Sequence, residues 1–147
     1  MFVDRLPPVT YERLVTINEG APLIEAAKLL RDAGTDILAV CTSSGVLAGV
    51  ITKTDVVSQI SDCRGQSCVT PASSIMTRDV VVCKPSDLLS AAWSIMRARK
   101  LKNIPIVDAD YHPIGMLNAR DALQLLLEEA QDEELLLRDY VMSVGYQ

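Results

Sequence analysis

The sequence predicts an α/β chain in which one β-α-β-β-α unit is built twice and the last helix runs on past the second copy. Three observations carry this. First, residues 49–56, GVITKTDV, return 66 positions later as GMLNARDA at residues 115–122. Both copies run Gly, two apolar residues, a helix-capping residue (Thr52 or Asn118), two further residues and then Asp (Asp55 or Asp121). Second, strand-like runs, turns and helical periodicities recur in the same order on either side of a Ser/Gly/Pro-rich stretch at 61–74. Third, the chain is 49% hydrophobic but only 4% aromatic, so its core is expected to be Val, Leu, Ile and Ala.

Taken in order, residues 1–13 read as an arm broken at Pro7 and Pro8. Residues 14–17 are a short strand signal, and Pro22 suits the first turn of a helix. Over 23–33, Leu23, Ala26, Ala27, Leu29 and Leu30 share one helical face, and Gly34 suits the C-terminal cap. A fully apolar strand at 37–41, a turn at Ser43, Ser44 and Gly45, a return strand at 46–51 and a helix from Lys53 to about Ile60 complete the first unit (14–60). After the linker, Ile75, Met76 and Thr77 lead into the second unit (75–128). Its strand is expected at 80–83, its helix at 88–99 with Ser86 and Asp87 offering an N-cap, and its hairpin strands at 103–107 and 114–117. The helices superpose in sequence at an offset of 65 and the hairpins at 66, so one inserted residue is expected near the end of the second unit's first helix.

From Asn118 the last helix can continue to about Met142, with residues 129–147 as an extension. Leu123, Leu126, Ala130, Leu137, Tyr140 and Val144 step by threes and fours, interrupted at Glu133. Such a helix could be a short coiled-coil seam or could fold back on its own unit.

The totals exclude several classes. No apolar run is long enough to span a bilayer, and the N-terminus carries Asp4 where a signal peptide would need an apolar core, so a cytoplasmic protein without a membrane partner is expected. A net charge of −5 argues against nucleic acid as the main partner. Glu128, Glu129, Asp132, Glu133 and Glu134 account for all five negatives, leaving the rest formally neutral. Cys41 and Cys83 sit in apolar runs as small buried hydrophobes, while Cys63 and Cys68 lie in the linker. Zinc would need two more ligands, and the one histidine, His112, is far away, so no metal is expected. A linker disulfide is disfavoured in a reducing cytosol.

No nucleophile is assembled with a base, His112 sits in a turn beside Asp108 and Asp110, and there is no Gly-rich phosphate loop; no catalytic residues are assigned and an enzyme is not expected. The repeated turn carries the chemistry instead. A helix N-terminus presents unpaired N–H groups and suits an anion. A carboxylate three residues in could accept from a ribose diol, or could merely close a capping box with Thr52 or Asn118. Spacing serves both readings equally. Lys53 and Arg120 are unfavourable with the helix dipole unless an anion sits there or they point to solvent.

With these residues in place the sequence resembles a tandem pair of CBS domains. The resemblance covers residues 14–60 and 75–128 and rests on the twice-repeated turn, on Ile104, Pro105 and Ile106 as an apolar-Pro-apolar strand, and on the Ile75, Met76 and Thr77 lead-in. It implies an intramolecular pseudo-dimer with two clefts that take an adenine nucleotide (AMP, ATP, ADP, or an NAD- or S-adenosylmethionine-type ligand) as a regulatory ligand, with no required cofactor. By resemblance, Asp121 and Asp55 would bind ribose, and Arg120, Asn118, Thr52 and Lys53 would face phosphate. Asp36, Ile37 and Leu38 in the first unit, and Asn103, Ile104, Pro105, Met76 and Val80 around the second, would enclose the base, with a cleft able to mix the two units. The resemblance also implies a homodimer and an effector protein not identified by the sequence. Asn118 departs from the usual hydroxyl, Ala39 stands where the second unit has Pro105, and Thr10, Tyr11 and Glu12 lack the lead-in form. With Arg120 before its Asp, the second turn is expected to be the better phosphate binder. The resulting reading is a stand-alone sensory module, with a dimerisation module carrying vestigial sites as the alternative.

Overall fold

The computed structural model describes residues 1–61 and 69–145, with side chains described through Met142. Cys63 and Cys68 therefore lie outside the described residues, as do residues 146–147 and the side chain of Val144. In the first repeat β1 (Thr16–Asn18) pairs parallel with β2 (Ile37–Cys41), which pairs antiparallel with β3 (Leu47–Thr52). Helix α2 (Leu23–Ala33) joins β1 to β2 and ends at Gly34 in the left-handed conformation (φ 63°), where glycine has no Cβ penalty. Pro22 is the residue before the helix rather than its first turn. Helix α3 (Lys53–Ser61) follows β3 without a loop. The second repeat contains α5 (Leu89–Arg99), then the β4 (Asn103–Val107) and β5 (Pro113–Asn118) hairpin, then α6 (Ala119–Gly145).

The strand expected at 80–83 is not formed; Cys83 alone bridges Ile106 in the parallel position. Pro105 is the reason. In the first repeat the Ala39 N–H donates to Val15 O (2.9 Å), prolonging the parallel ladder beyond β1. The equivalent residue in the second repeat is Pro105, which has no N–H to give Val81. The ladder is left with Cys83 N–H to Pro105 O (3.0 Å) and Val107 N–H to Cys83 O (2.9 Å).

Two further expectations are corrected. Asp87 does not cap α5; its Oδ2 accepts the Lys84 N–H (2.8 Å) and closes the preceding turn, while Leu88 occupies the N-cap without a side-chain bond. No residue is inserted in α5 either. The buried triplets Leu23, Ala26, Leu30 and Leu89, Ala92, Met96 lie 66 apart, as do the helix ends, both hairpins and their bulges, so one offset relates the two repeats from these helices onward.

The arm is part of the core. Val3 and Leu6 are buried with Cys83, Leu89, Met96, Ile104 and Leu117 of the second repeat, and the Leu89 N–H donates to Met1 O (2.9 Å). The arm's short helix α1 (Val9–Glu12) packs on β5, and α4 (Ala72–Ile75), which leads into the second repeat, packs on β3. Each lead-in therefore covers the other repeat's sheet. Gly49 permits this approach: a Cβ there would stand 2.6 Å from Thr77 O and 2.9 Å from Met76 Sδ. At that point Val50 and Thr77 exchange backbone hydrogen bonds of 3.0 and 2.9 Å.

Ile17, Leu38, Ile51 and Met76 centre the first repeat's core. A third cluster, Ile37, Ala39, Val50, Val107 and Met116, joins the repeats face to face. It makes a pseudo-dimer within one chain. Beyond Ala130, α6 leaves this body: every described side chain from Gln131 to Met142 is exposed, including Leu135, Leu136, Leu137, Tyr140, Val141 and Met142. The helix is not folded back on its own repeat.

Candidate functional site

The third cluster brings the two repeats together along their strands and leaves a cleft on either side. The larger has a cavity volume of about 590 Å³. Its first wall is the junction of β3 and α3 (Thr52, Lys53, Thr54) with Asp36 and Ile37 at the start of β2. The opposite wall is the start of β4 (Asn103, Ile104, Pro105) and the turn before it, with Val80 and Val81 as the floor. The junction of one repeat thus faces the strand of the other. Of the residues proposed from sequence, Asp36, Ile37, Thr52, Lys53, Val80, Asn103, Ile104 and Pro105 line this cavity.

Local chemistry fixes the junction. The Lys53 N–H donates to Asp36 O (3.0 Å), tying the helix start to β2, and Lys53 Nζ lies 3.1 Å from Asp36 Oδ1. The Thr52 N–H donates to Asp55 Oδ2 (2.9 Å) and the Asp55 N–H to Thr52 Oγ1 (3.2 Å), a reciprocal capping box. Asp55 is half-buried in this capping box and is not among the residues that line the cavity. Leu38 and Met76 are buried in the first repeat's core.

The smaller cleft, about 270 Å³, is related to the first by the same offset: Val15, Gly34 and Met116 stand where the larger has Val81, Lys100 and Val50. The second turn borders this cleft through Arg13, which lines it, although Asn118, Arg120 and Asp121 do not. Asn118 Oδ1 accepts the N–H groups of Arg120 (3.0 Å) and Asp121 (3.3 Å), while its Nδ2 donates to Asn103 Oδ1 (3.1 Å). Asp121 is engaged by Arg13, whose Nε lies 2.8 Å from Oδ2, and Arg120 is exposed. None of Asn118, Arg120 and Asp121 lines the larger cavity, so the structure gives the greater volume to the first turn.

Sequence reasoning missed Arg99, Lys100 and Lys102 on the larger cavity wall, and Arg13 beside Asp121. The run RARKLK at 97–102 was a visible signal, as the densest basic stretch of an acidic chain. Arg13 was not visible, because its partner is 108 residues away. Elsewhere, ligand atoms of Asp108, Asp110 and His112 lie within 4.8 Å of one another in the β4–β5 turn. Asp108 Oδ1 there accepts the N–H groups of Asp110 and His112 (both 2.9 Å), which is how an Asp closes a solvated turn.

The fold and its paired clefts define a tandem module of two β-α-β-β-α repeats. The CBS domain family matches residues 5–62 and 72–128, and the chain belongs to that family. Among solved structures it is similar to CBSX2, a CBS-pair protein from Arabidopsis thaliana (TM-score 0.74, 20% identity, 88% of this chain and 96% of that one). CBSX2 in complex with AMP gives a TM-score of 0.70 at 21% identity, over 81% of this chain and 91% of that one. The CBS domain pair of protein MJ0100, in complex with 5′-methylthioadenosine and S-adenosyl-L-methionine, gives 0.70 at 21% identity over 88% and 98%. Among curated relatives, a homoserine O-acetyltransferase from Methanocorpusculum labreanum is 31% identical over 119 residues, 78% of this chain but 23% of its own length. The chain spans about a quarter of the length of such relatives. No helix among the described residues is long and apolar enough to cross a membrane.

Proposed function

We propose that the chain is a regulatory module that binds an adenine nucleotide in the cleft between its repeats. The observation that carries this reading is the cavity of about 590 Å³ bounded by the start of α3 on one wall and by β4 of the other repeat on the opposite wall. That volume suits a nucleotide-sized ligand. The apolar wall of Ile37, Val80, Ile104 and Pro105 takes the base, and Thr52, Lys53 and Thr54 at the positive end of α3 take phosphate. Asp55 stands beside this wall rather than on it, with Oδ2 held by the Thr52 N–H, and the reading requires its Oδ1 to reach the ribose from there. Related CBS pairs solved with AMP or S-adenosylmethionine support the ligand class. Occupancy acts only if the ligand binds two states of the module unequally.

Calorimetric titration with AMP, ATP, NAD and S-adenosylmethionine tests it, and absence of heat with all four at millimolar concentration would overturn it. Asp55→Asn, which keeps a capping side chain, is expected to weaken binding by about 1–3 kcal/mol through loss of charge-assisted hydrogen bonds. Asp121→Asn, at the smaller cleft, is expected to leave this affinity unchanged. The reverse pattern would move the ligand to the second turn.

A second reading, an interaction module, is favoured by the exposed apolar end of α6. Under it the helix pairs with a second copy or an effector protein, and the nucleotide and partner roles coexist. Sedimentation equilibrium on the chain alone is expected to show a dimer if a second copy is the occupant.

A further inference from the structure

The offset of 66 makes each cleft a control for the other. At the end of α2 the smaller cleft is lined by Ala33, Gly34 and Thr35. At the same place on α5 the larger cavity has Arg99, Lys100 and Leu101, followed by Lys102. Over the four equivalent positions the first repeat has Ala33, Gly34, Thr35 and Asp36 and the second Arg99, Lys100, Leu101 and Lys102, one carboxylate against three cations. None of the three has an ion-pair partner among the described residues, whereas Lys53 on the opposite wall is paired with Asp36. Counting Asp79 as well, the cavity presents four cations against two carboxylates in a chain whose net charge is −5.

Lys100 adds a second observation. It holds the left-handed conformation (φ 56°) that its counterpart Gly34 adopts freely. A side chain with a Cβ is disfavoured there. Asn would be tolerated and Gly preferred, yet the position is a lysine, and the conformation sets it on the cavity wall beside two further cations.

We propose that the larger cavity selects ligands carrying two or more phosphates, with Arg99, Lys100 and Lys102 reading the β- and γ-positions. The inference rests on the proposed nucleotide site and concerns which member of that ligand class it takes. The α-phosphate lies at the Thr52 and Lys53 wall, and the chain of phosphates crosses the cavity to the end of α5. A sulfonium-bearing adenosyl ligand would meet like charge there, and a monophosphate would leave the three cations without a partner.

The test is calorimetric competition among ATP, ADP, AMP, S-adenosylmethionine and inorganic tripolyphosphate, with chelator present. ATP is expected to bind at least about tenfold more tightly than AMP. That ratio is expected to shrink in Arg99→Gln and Lys102→Gln. Lys100→Gly is the sharpest variant, because glycine relieves the backbone while removing the charge. It is expected to raise the melting temperature and to lower ATP affinity, with AMP affinity unchanged. Equal affinities for ATP and AMP would overturn the inference and leave the nucleotide reading standing. Tripolyphosphate binding with no gain from an attached nucleoside would uphold the inference and sink the adenine reading. No binding of either ATP or tripolyphosphate would end it.

Discussion

Ile51→Ala, deep in the first repeat, is expected to lower the unfolding free energy by about 2–5 kcal/mol and to move the fluorescence transition of Trp93, which lies in the second. Ile51 is fully buried on β3 among Ile17, Leu38, Val56 and Met76, so the lost methyl and methylene groups leave a cavity walled by packed core side chains. Trp93 is the only tryptophan and packs against the second repeat's core, with the Arg97 guanidinium 5.6 Å from its ring centroid. Coupling is expected because the third cluster places Val50, next to Ile51, against Met116 and Val107 of the other repeat. Urea denaturation followed by circular dichroism and by Trp93 emission should therefore give coincident curves that shift together. A Trp93 midpoint left in place while the dichroism moves would show that the repeats unfold separately.

The second large effect is alkaline destabilisation through Cys83. Burial, with a smaller contribution from the nearby Asp87 carboxylate, pushes its thiol from 9.0 up to about 12. Below pH 9 the thiol is protonated in folded and unfolded chains alike, and its contribution is fully present. As pH rises from 9 towards 12 the unfolded thiol ionises and the folded one does not, so stability falls. At pH 10.5 the loss is expected to reach about 2 kcal/mol relative to pH 8. Comparison with Cys83→Val, in which this part of the pH dependence should vanish, isolates the effect from other titrating groups. Cys41 is shifted in the same direction by burial. A variant with the same alkaline slope as the parent would show that the thiol is not the origin.

Most of the fold was legible because its signals are local. The stretches 37–41 and 104–107 are unbroken apolar runs, Gly34 marks a helix end, and Thr52 and Asn118 mark helix starts. What was not legible depended on partners distant in sequence. Pro105 reads as a harmless strand residue until its neighbour across the ladder is known to need its N–H. Asp87 beside Ser86 looks like a cap, but a turn three residues upstream takes its carboxylate first. Val3 and Leu6 look like arm residues because the core they enter lies some 80 residues on. At the site, Thr52, Lys53 and Asp55 were legible as a capped, charged turn, whereas the Lys53–Asp36 pair was not. Which repeat owns the roomier cleft was not, since that is decided by what stands across from the turn: three cations on one side, and the α1 segment with Arg13 on the other.

The crossed lead-ins bear on how such a chain could have arisen. A polypeptide with one β-α-β-β-α unit would carry its own lead-in helix but have no second sheet to lay it on, and the surface around its Gly49 equivalent would stand open to water. Only by trading lead-ins with another copy could it close, as domain-swapped subunits do. Joining the two copies end to end replaces a concentration-dependent association by an intramolecular one. It also frees the halves to diverge, so that one cleft can gather Arg99, Lys100 and Lys102 while the cation on the other, Arg13, is paired with Asp121.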